Sequence, residues 1–270
     1  GPTVWVATER DDGGAAAARA ALDRERPEVV IAAGGDGTVS VVAALVTGTD
    51  VPIAIVPVGT TNLFARSVGA ASRLDRAVAR AFSRRIPGRV DLGRMRATLV
   101  DGSVVERPFT VMAGAGIDAA MVADTHPRGK ERFGWLGYIQ GISASVVRNH
   151  RFTADVTLGD GSTTAERAHT GVVATGGLLP AGLVFVPGAV VDDGELDVMV
   201  LRTRGLGSWV RVASWFVAGA VRAPAAIGRR LAGPVVQIDR TDRVRVDLAL
   251  PERAEADGEE LGMVTRLEAW

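Results

Sequence analysis

The chain has 270 residues, room for roughly two domains at ~150 residues each, and is 47% hydrophobic and 23% charged, which excludes a disordered chain. Basic and acidic residues both number 31, so the net charge is zero and any attraction to nucleic acid or anionic lipid must be local. Cysteine is absent, which excludes disulfides, thiolate nucleophiles and cysteine-ligated metals.

In chain order, Val4–Ala7 is a short apolar run that predicts a strand. An Ala-rich helix is expected over Ala15–Leu22. Val29–Ala33 reads as a buried strand broken by Gly34-Gly35. Thr38–Val46 predicts a helix ending near Gly48. Pro52–Val56 repeats the strand, and Asn62–Val68 and Leu74–Phe82 repeat the helix. Uniformly apolar strands alternating with helices point to a parallel sheet covered by helices.

The period changes near residue 92. Arg96–Val100 and Ser103–Val105 flank Asp101-Gly102, a hairpin signature; Phe152–Leu158 and the run from Thr163 flank Gly159-Asp160-Gly161 in the same way. Val172–Ala174, Leu196–Val200, Val235–Ile238 and Val244–Leu248 add short strands. Helical inserts are expected near 134–148 and 206–231. The expected architecture is therefore α/β in two domains, residues 1–92 and 93–270, the second mostly antiparallel.

No signal peptide is expected from Gly1–Trp5, which has no basic segment followed by an apolar one. Thr170–Val191 is uncharged for 22 residues, but five glycines and two prolines make it a buried strand–loop–strand rather than a membrane span. The 205–231 helix carries Trp209, Val212, Trp215, Phe216 and Val217 with Arg211 and Arg222 interrupting; it reads as a core helix, with a membrane-touching face as the second reading. His126, His150 and His169 show no metal spacing, and no Gly-x-Ser-x-Gly elbow occurs.

Lys130 is the only lysine among the 31 basic residues. A P-loop and a protein-kinase site both need a lysine at a fixed place, and neither can be written here. Phosphate handling would fall to backbone N–H groups, arginine and a metal ion.

Four segments carry candidate chemistry. Gly34-Gly35-Asp36-Gly37-Thr38 joins a buried strand to a helix, where glycines allow close backbone approach and the helix N-terminus favours an anion. The alternative is a tight turn with Asp36 as a helix cap. Pro57-Val58-Gly59-Thr60-Thr61-Asn62-Leu63-Phe64-Ala65-Arg66 repeats the design, so two such loops at strand C-termini would flank one crevice. Val190-Val191-Asp192-Asp193-Gly194-Glu195-Leu196-Asp197 is either an oxygen-donor site for Mg2+ or an ordinary turn entering a strand. Glu255-Ala256-Asp257-Gly258-Glu259-Glu260 is another Asp-Gly turn.

These segments, together with Gly114-Ala115-Gly116-Ile117-Asp118-Ala119, resemble the diacylglycerol kinase catalytic-domain family of soluble lipid kinases, relatives of sphingosine kinases and bacterial diacylglycerol kinases. The order and spacing match along nearly the whole chain. The resemblance implies a Rossmann-like nucleotide-binding domain, a β-sandwich-like domain, and ATP-dependent phosphorylation of a lipid hydroxyl, with ATP and Mg2+ as cofactors. Carried over by position, Gly34, Gly35, Asp36, Gly37 and Thr38 would line the phosphates, and Thr8, Gly59, Thr60 and Asn62 would also contact the nucleotide. A structural Mg2+ would fall on the Val190 carbonyl, the Asp193 carboxylate and the Glu195 carbonyl. Glu259 would be the general base, with Asp257 beside it and Asp36 as the alternative base or metal ligand.

The resemblance also implies a cytoplasmic protein peripheral to the inner face of the membrane. Its partners would be a nucleotide and a lipid at a membrane surface, with no nucleic acid and no transmembrane segment; a homodimer is left open. Arg128, Lys130 and Arg132 beside Phe133 and Trp135 would meet anionic headgroups, unless they form a solvated loop.

The pattern departs from the family at Leu63, where many members have Asp, and at Ser40-Val41, where many have Asn-Glu. Members also begin with a further strand–loop–helix unit, so this chain is expected to start one unit late, being truncated, completed by a strand from another chain, or closed differently; separately, the last strand is expected to be able to return to the first domain. The competing readings are an NAD kinase or phosphofructokinase-like enzyme, which shares the first glycine loop, and a non-catalytic nucleotide- or lipid-binding homologue.

Overall fold

A computed structural model of the chain describes residues 3–7, 14–59, 62–70, 73–83, 88–116, 151–178, 184, 186–220 and 225–270. The chain divides into two compact units, Gly1–Leu92 and Gly93–Trp270.

In the first unit α1 (Ala15–Glu25) precedes β1 (Val30–Gly34), α2 (Asp36–Val46), β2 (Ile53–Pro57), the short α3 (Leu63–Ser67) and α4 (Leu74–Ala81). β1 and β2 pair in parallel from Val30 opposite Ile53 to Gly34 opposite Pro57. Helix α2 packs on both strands and α4 on β2, burying Val39, Val42, Val56, Phe64 and Ala77. The expected strand at Val4–Ala7 does not form a ladder among the described residues. Its side chains face water, Trp5 being 88% exposed, and an extended segment without a neighbour has no strand hydrogen bonds to make.

Among the described residues, the second unit is a ten-stranded sheet whose main path runs β10-β9-β8-β5-β11-β12-β3-β4, with β6 and β7 attached through β11. The strands are β3 (Gly93–Leu99), β4 (Val104–Phe109), β5 (Met112–Gly116), β6 (Phe152–Leu158), β7 (Thr163–Ala168), β8 (Thr170–Ala174), β9 (Leu196–Leu201), β10 (Val236–Thr241), β11 (Val244–Ala256) and β12 (Glu259–Ala269). Every pairing in it is antiparallel. Both Asp-Gly hairpins form. The Asp101 carboxylate accepts from the Ser103 N–H and hydroxyl, that of Asp160 accepts from the Ser162 N–H, and Gly102 and Gly161 take φ near +83° and +84°.

β11 is long enough to pair with β6 through its first half and with β5 through its second. Register shifts against β12 between Asp247 and Glu252 and again at Ala254–Glu255 bend it between the two partners. Phe109, Met95, Val173, Val198, Val264 and Leu267 fill the core between the strands. β5 and β9 are buried along their whole length. β12 pairs with β11 and β3, so the last strand lies in the second unit's sheet.

Between β9 and β10 the chain forms α5 (Gly205–Ala220) and α6 (Ala225–Ala232), the second expected helical insert. The first, near 134–148, lies outside the described residues. Among the described residues no helix is long and apolar enough to cross a membrane.

Candidate functional site

The two glycine turns of the first unit lie side by side. β1 ends at Gly34, whose carbonyl accepts the Val58 N–H at 3.2 Å just beyond the end of β2. Gly35 caps α2 in an extended conformation, so the helix begins at Asp36, two residues earlier than the sequence suggests. A Cβ on Gly59 would stand 2.4 Å from the Gly35 Cα, and one on Gly34 would stand 2.4 Å from the Thr38 Cβ. Neither position tolerates a side chain without movement, and at Gly59 the obstacle is backbone.

Two side chains fasten this contact. Asn62 closes its own turn: its Oδ1 accepts the Gly59 N–H at 3.0 Å and its Nδ2 donates to the Gly59 carbonyl at 2.6 Å. Asn62 takes φ near +48°, a conformation asparagine tolerates better than most residues. Asp36 reaches across, its Oδ1 accepting the Phe64 N–H in the first turn of α3 at 3.0 Å. That bond ties α2 to α3. The structure thus brings Gly34, Gly35, Asp36, Gly37, Thr38, Gly59 and Asn62 together at the C-terminal ends of two parallel strands. Thr8 and Thr60 lie outside the described residues.

In the second unit, Asp257 and Gly258 form the turn between β11 and β12. Both have positive φ, +49° and +84°, the combination a tight two-residue hairpin requires. The Asp257 carboxylate accepts four hydrogen bonds, from the Thr110 N–H (2.6 Å) and hydroxyl (2.9 Å), the Val111 N–H (2.9 Å) and the Met112 N–H (3.1 Å). The Asp257 N–H donates back to the Met112 carbonyl at 2.8 Å. Burial raises the pKa of this carboxyl while the four donors pull it down. Its oxygens are committed to the entry of β5, and it holds the turn in place. Glu259, the first residue of β12, is exposed beside that turn.

Gly114 and Gly116 serve packing. A Cβ on Gly114 would stand 2.2 Å from the Gly171 carbonyl oxygen, and one on Gly116, where φ is near +103°, 2.2 Å from that of His169. Ile117, Asp118 and Ala119 lie outside the described residues, as do Arg128, Lys130, Arg132, Phe133 and Trp135.

The Val190–Glu195 segment was expected to hold Mg2+. Its donor chemistry, one carboxylate and two carbonyls, is that of a hard-cation site. The Asp193 carboxylate has partners within the protein. One Asp193 oxygen accepts the Glu195 N–H at 3.1 Å, and the other lies 3.9 Å from the Arg240 guanidinium. Arg240 also donates to Asp197 Oδ1 at 3.2 Å and to the Gly188 carbonyl. An arginine from β10 thus supplies positive charge to this turn, and among the described residues no group of three or more acidic or histidine side chains could hold a metal. Two of the three expected donors are the main-chain carbonyls of Val190 and Glu195, so the grouping of side chains leaves the Mg2+ expectation standing. Burial pushes the Asp197 carboxyl above the usual aspartate range despite the arginine.

Sequence reading missed the partners: the Phe64 amide, the 110–112 amides and Arg240. Each meets its carboxylate through a contact between residues distant in sequence, which no local pattern reports.

Comparison with known proteins agrees with this architecture. Residues 2–95 match the family model for the diacylglycerol kinase catalytic domain, and residues 111–268 match that for the YegS C-terminal NAD kinase beta sandwich-like domain. A diacylglycerol kinase of Mycobacterium tuberculosis is 29% identical over 188 residues, covering 65% of this chain and 55% of its own length. A probable lipid kinase YegS-like protein of Pseudomonas aeruginosa is 33% identical over 180 residues, 64% of this chain and 54% of its own. The chain spans about half the length of these curated relatives. The crystal structure of a diacylglycerol kinase from Bacillus anthracis str. Sterne shares the fold with a TM-score of 0.59 at 16% identity, covering 97% of this chain and 79% of the other. With the second model alone matching more than half of its residues and the first matching most of the remainder, the chain belongs to the family that joins a diacylglycerol kinase catalytic domain to a YegS C-terminal NAD kinase beta sandwich-like domain.

Proposed function

We propose that the protein phosphorylates a lipid hydroxyl with ATP, diacylglycerol being the favoured acceptor, at the inner face of a membrane. The observation that carries this reading is the pair of glycine turns fixed backbone to backbone at Gly35 and Gly59. Main-chain N–H groups at the start of α2 suit a polyphosphate, with no side chain in the way. That arrangement also answers the lack of a P-loop lysine.

In this reading the first unit holds ATP, taken up as its magnesium complex, by Gly35, Gly37, Thr38 and the 59–62 turn. Asp36 and Asn62 are positioning residues that keep the two turns in register. Glu259 takes the proton of the lipid hydroxyl as the oxygen attacks the γ-phosphorus and the bond to ADP breaks. General-base assistance of this kind is worth ~10²–10⁴ in rate. Asp257 positions Glu259 by fixing the hairpin on β5. No step is assigned to a metal on the Val190–Glu195 turn.

The test is transfer of labelled phosphate from ATP to diacylglycerol in mixed micelles, with NAD and a sugar phosphate as parallel acceptors. Wild type is expected to label the lipid. Glu259→Gln should lower turnover at least ~100-fold while ATP binding by calorimetry is unchanged. Labelling of NAD alone, or ATP binding without any product, would overturn the reading.

A further inference from the structure

The α5–α6 insertion carries an exposed face that the catalytic reading does not use. Helix α5 turns Val212, Trp215 and Ala218 inward, with Trp215 1% exposed. Helix α6 packs on it through Gly228, where a Cβ would stand 3.4 Å from the Trp215 ring. The outward faces are apolar as well. On α5, Val210 and Val217 are 66% and 62% exposed; on α6, Ile227 and Leu231 are 49% and 46% exposed. A spacing of seven residues puts the first pair on one side of its helix, and a spacing of four does so for the second.

The insertion also carries charge of one sign only. From Thr203 to Ile238 the sequence holds five arginines (204, 211, 222, 229 and 230) and no aspartate, glutamate or lysine, in a chain whose total charge is zero. Arg204, Arg211 and Arg230 are exposed. A helix face that meets only water gains nothing from bare valine, isoleucine and leucine. Apolar side chains set among arginines match an anionic bilayer, whose headgroups attract the guanidinium groups and whose acyl boundary takes the aliphatic tips.

We propose that the α5–α6 helix pair is a membrane-docking surface, lying on anionic lipid with Val210, Val217, Ile227 and Leu231 against the acyl boundary. It deepens the lipid-kinase reading and rests on it for its role, since a soluble enzyme must meet its substrate at a surface. Docking itself is measured without turnover.

The experiment is co-sedimentation of the full chain with vesicles of phosphatidylcholine alone, and of phosphatidylcholine and phosphatidylglycerol in equal parts. Wild type is expected to partition at least ~10-fold more strongly onto the anionic vesicles, and to release as salt rises. Val210→Asp with Val217→Asp should weaken binding to anionic vesicles at least ~10-fold while the thermal midpoint moves little, as for other exposed positions. Ile227→Ser with Leu231→Ser is the second pair, should the first fail to fold. Arg211→Gln and Arg230→Gln should each cost roughly fivefold in partition and flatten the salt dependence.

Equal binding of wild type and both apolar pairs to anionic vesicles would overturn the proposal. So would equal binding of wild type to neutral and anionic vesicles, or a wild-type homodimer that dissociates in the apolar variants without any vesicle binding. A wild type that docks on anionic vesicles through these residues but phosphorylates no lipid sustains the docking surface and removes the kinase reading.

Discussion

Gly59 and Gly48 are both glycines in turns of the first unit, but they are glycine for different reasons. Gly48 takes φ near +75° with nothing within 4 Å of a Cβ; Gly59 would drive a Cβ to 2.4 Å from the Gly35 backbone. The first is a conformational requirement and the second a contact requirement. Gly48→Ala should cost about 1 kcal/mol of stability from the left-handed backbone alone and leave ATP affinity unchanged. Gly59→Ala must push the two turns apart, costing about 1–3 kcal/mol and weakening ATP binding at least ~10-fold. Urea denaturation and calorimetry on both variants would check this; similar ATP affinities in the two would show that the Gly35–Gly59 contact does not shape the site. Sequence could locate both loops, because glycines between an apolar strand and a helix are a local pattern. It could not say that Gly35 and Gly59 touch, since that depends on the pairing of Gly34 with Pro57. The role of Asp36 was equally hidden, its partner being 28 residues away.

Among the elements, hairpins were legible where the turn carries its own chemistry. Asp101-Gly102 and Asp160-Gly161 form the expected turns because each aspartate satisfies the backbone two residues on, whatever the surroundings, while Asp257-Gly258 turns with positive φ at both residues and spends its carboxylate on distant amides. The Val190–Asp197 turn was not legible in the same way. Its charge balance comes from β10, where Arg240 stands opposite Asp197 in the antiparallel register. Asp197 is buried, with 6% of its side chain exposed, so the ionised carboxylate depends on that arginine. Arg240→Met should destabilise the chain by about 2 kcal/mol, the size of a hydrogen bond to a charged group. The sign of its pH dependence follows from burial. A carboxyl whose folded-state pKa is raised favours the folded protein when protonated and loses that contribution as pH rises through the folded pKa. The deficit of Arg240→Met should therefore be largest near neutrality and shrink toward about pH 4. Because the arginine supplies the positive charge, wild-type thermal midpoints should match in EDTA and in excess Mg2+. A clear rise with Mg2+ in wild type would place the metal on this turn.

The two units are built with unequal amounts of cross-strand support. Among the described residues, the second closes ten strands around a core that includes Phe109, Met95, Val198 and Val264. The first, among its described residues, pairs only β1 with β2, and a two-stranded sheet depends on the helices laid against it for its stability. Periodicity announced a parallel α/β layer followed by an antiparallel one. It could not announce how many strands the first sheet would contain, because an apolar run such as Val4–Ala7 becomes a strand only if a neighbour supplies its hydrogen bonds. The consequence is measurable by native-state hydrogen exchange. Amides of β1 and β2 should open through local unfolding of the first unit, while those of β11, paired on both edges along much of its length, should open only with the second unit as a whole. A difference of about 3 kcal/mol would make β1 and β2 exchange roughly 100-fold faster. Saturating ATP should slow β1 and β2 selectively, because ligand binding to the folded first unit stabilises that unit. Uniform rates across both units, unmoved by nucleotide, would mean that they unfold as one body and that the glycine turns gain nothing from a bound polyphosphate.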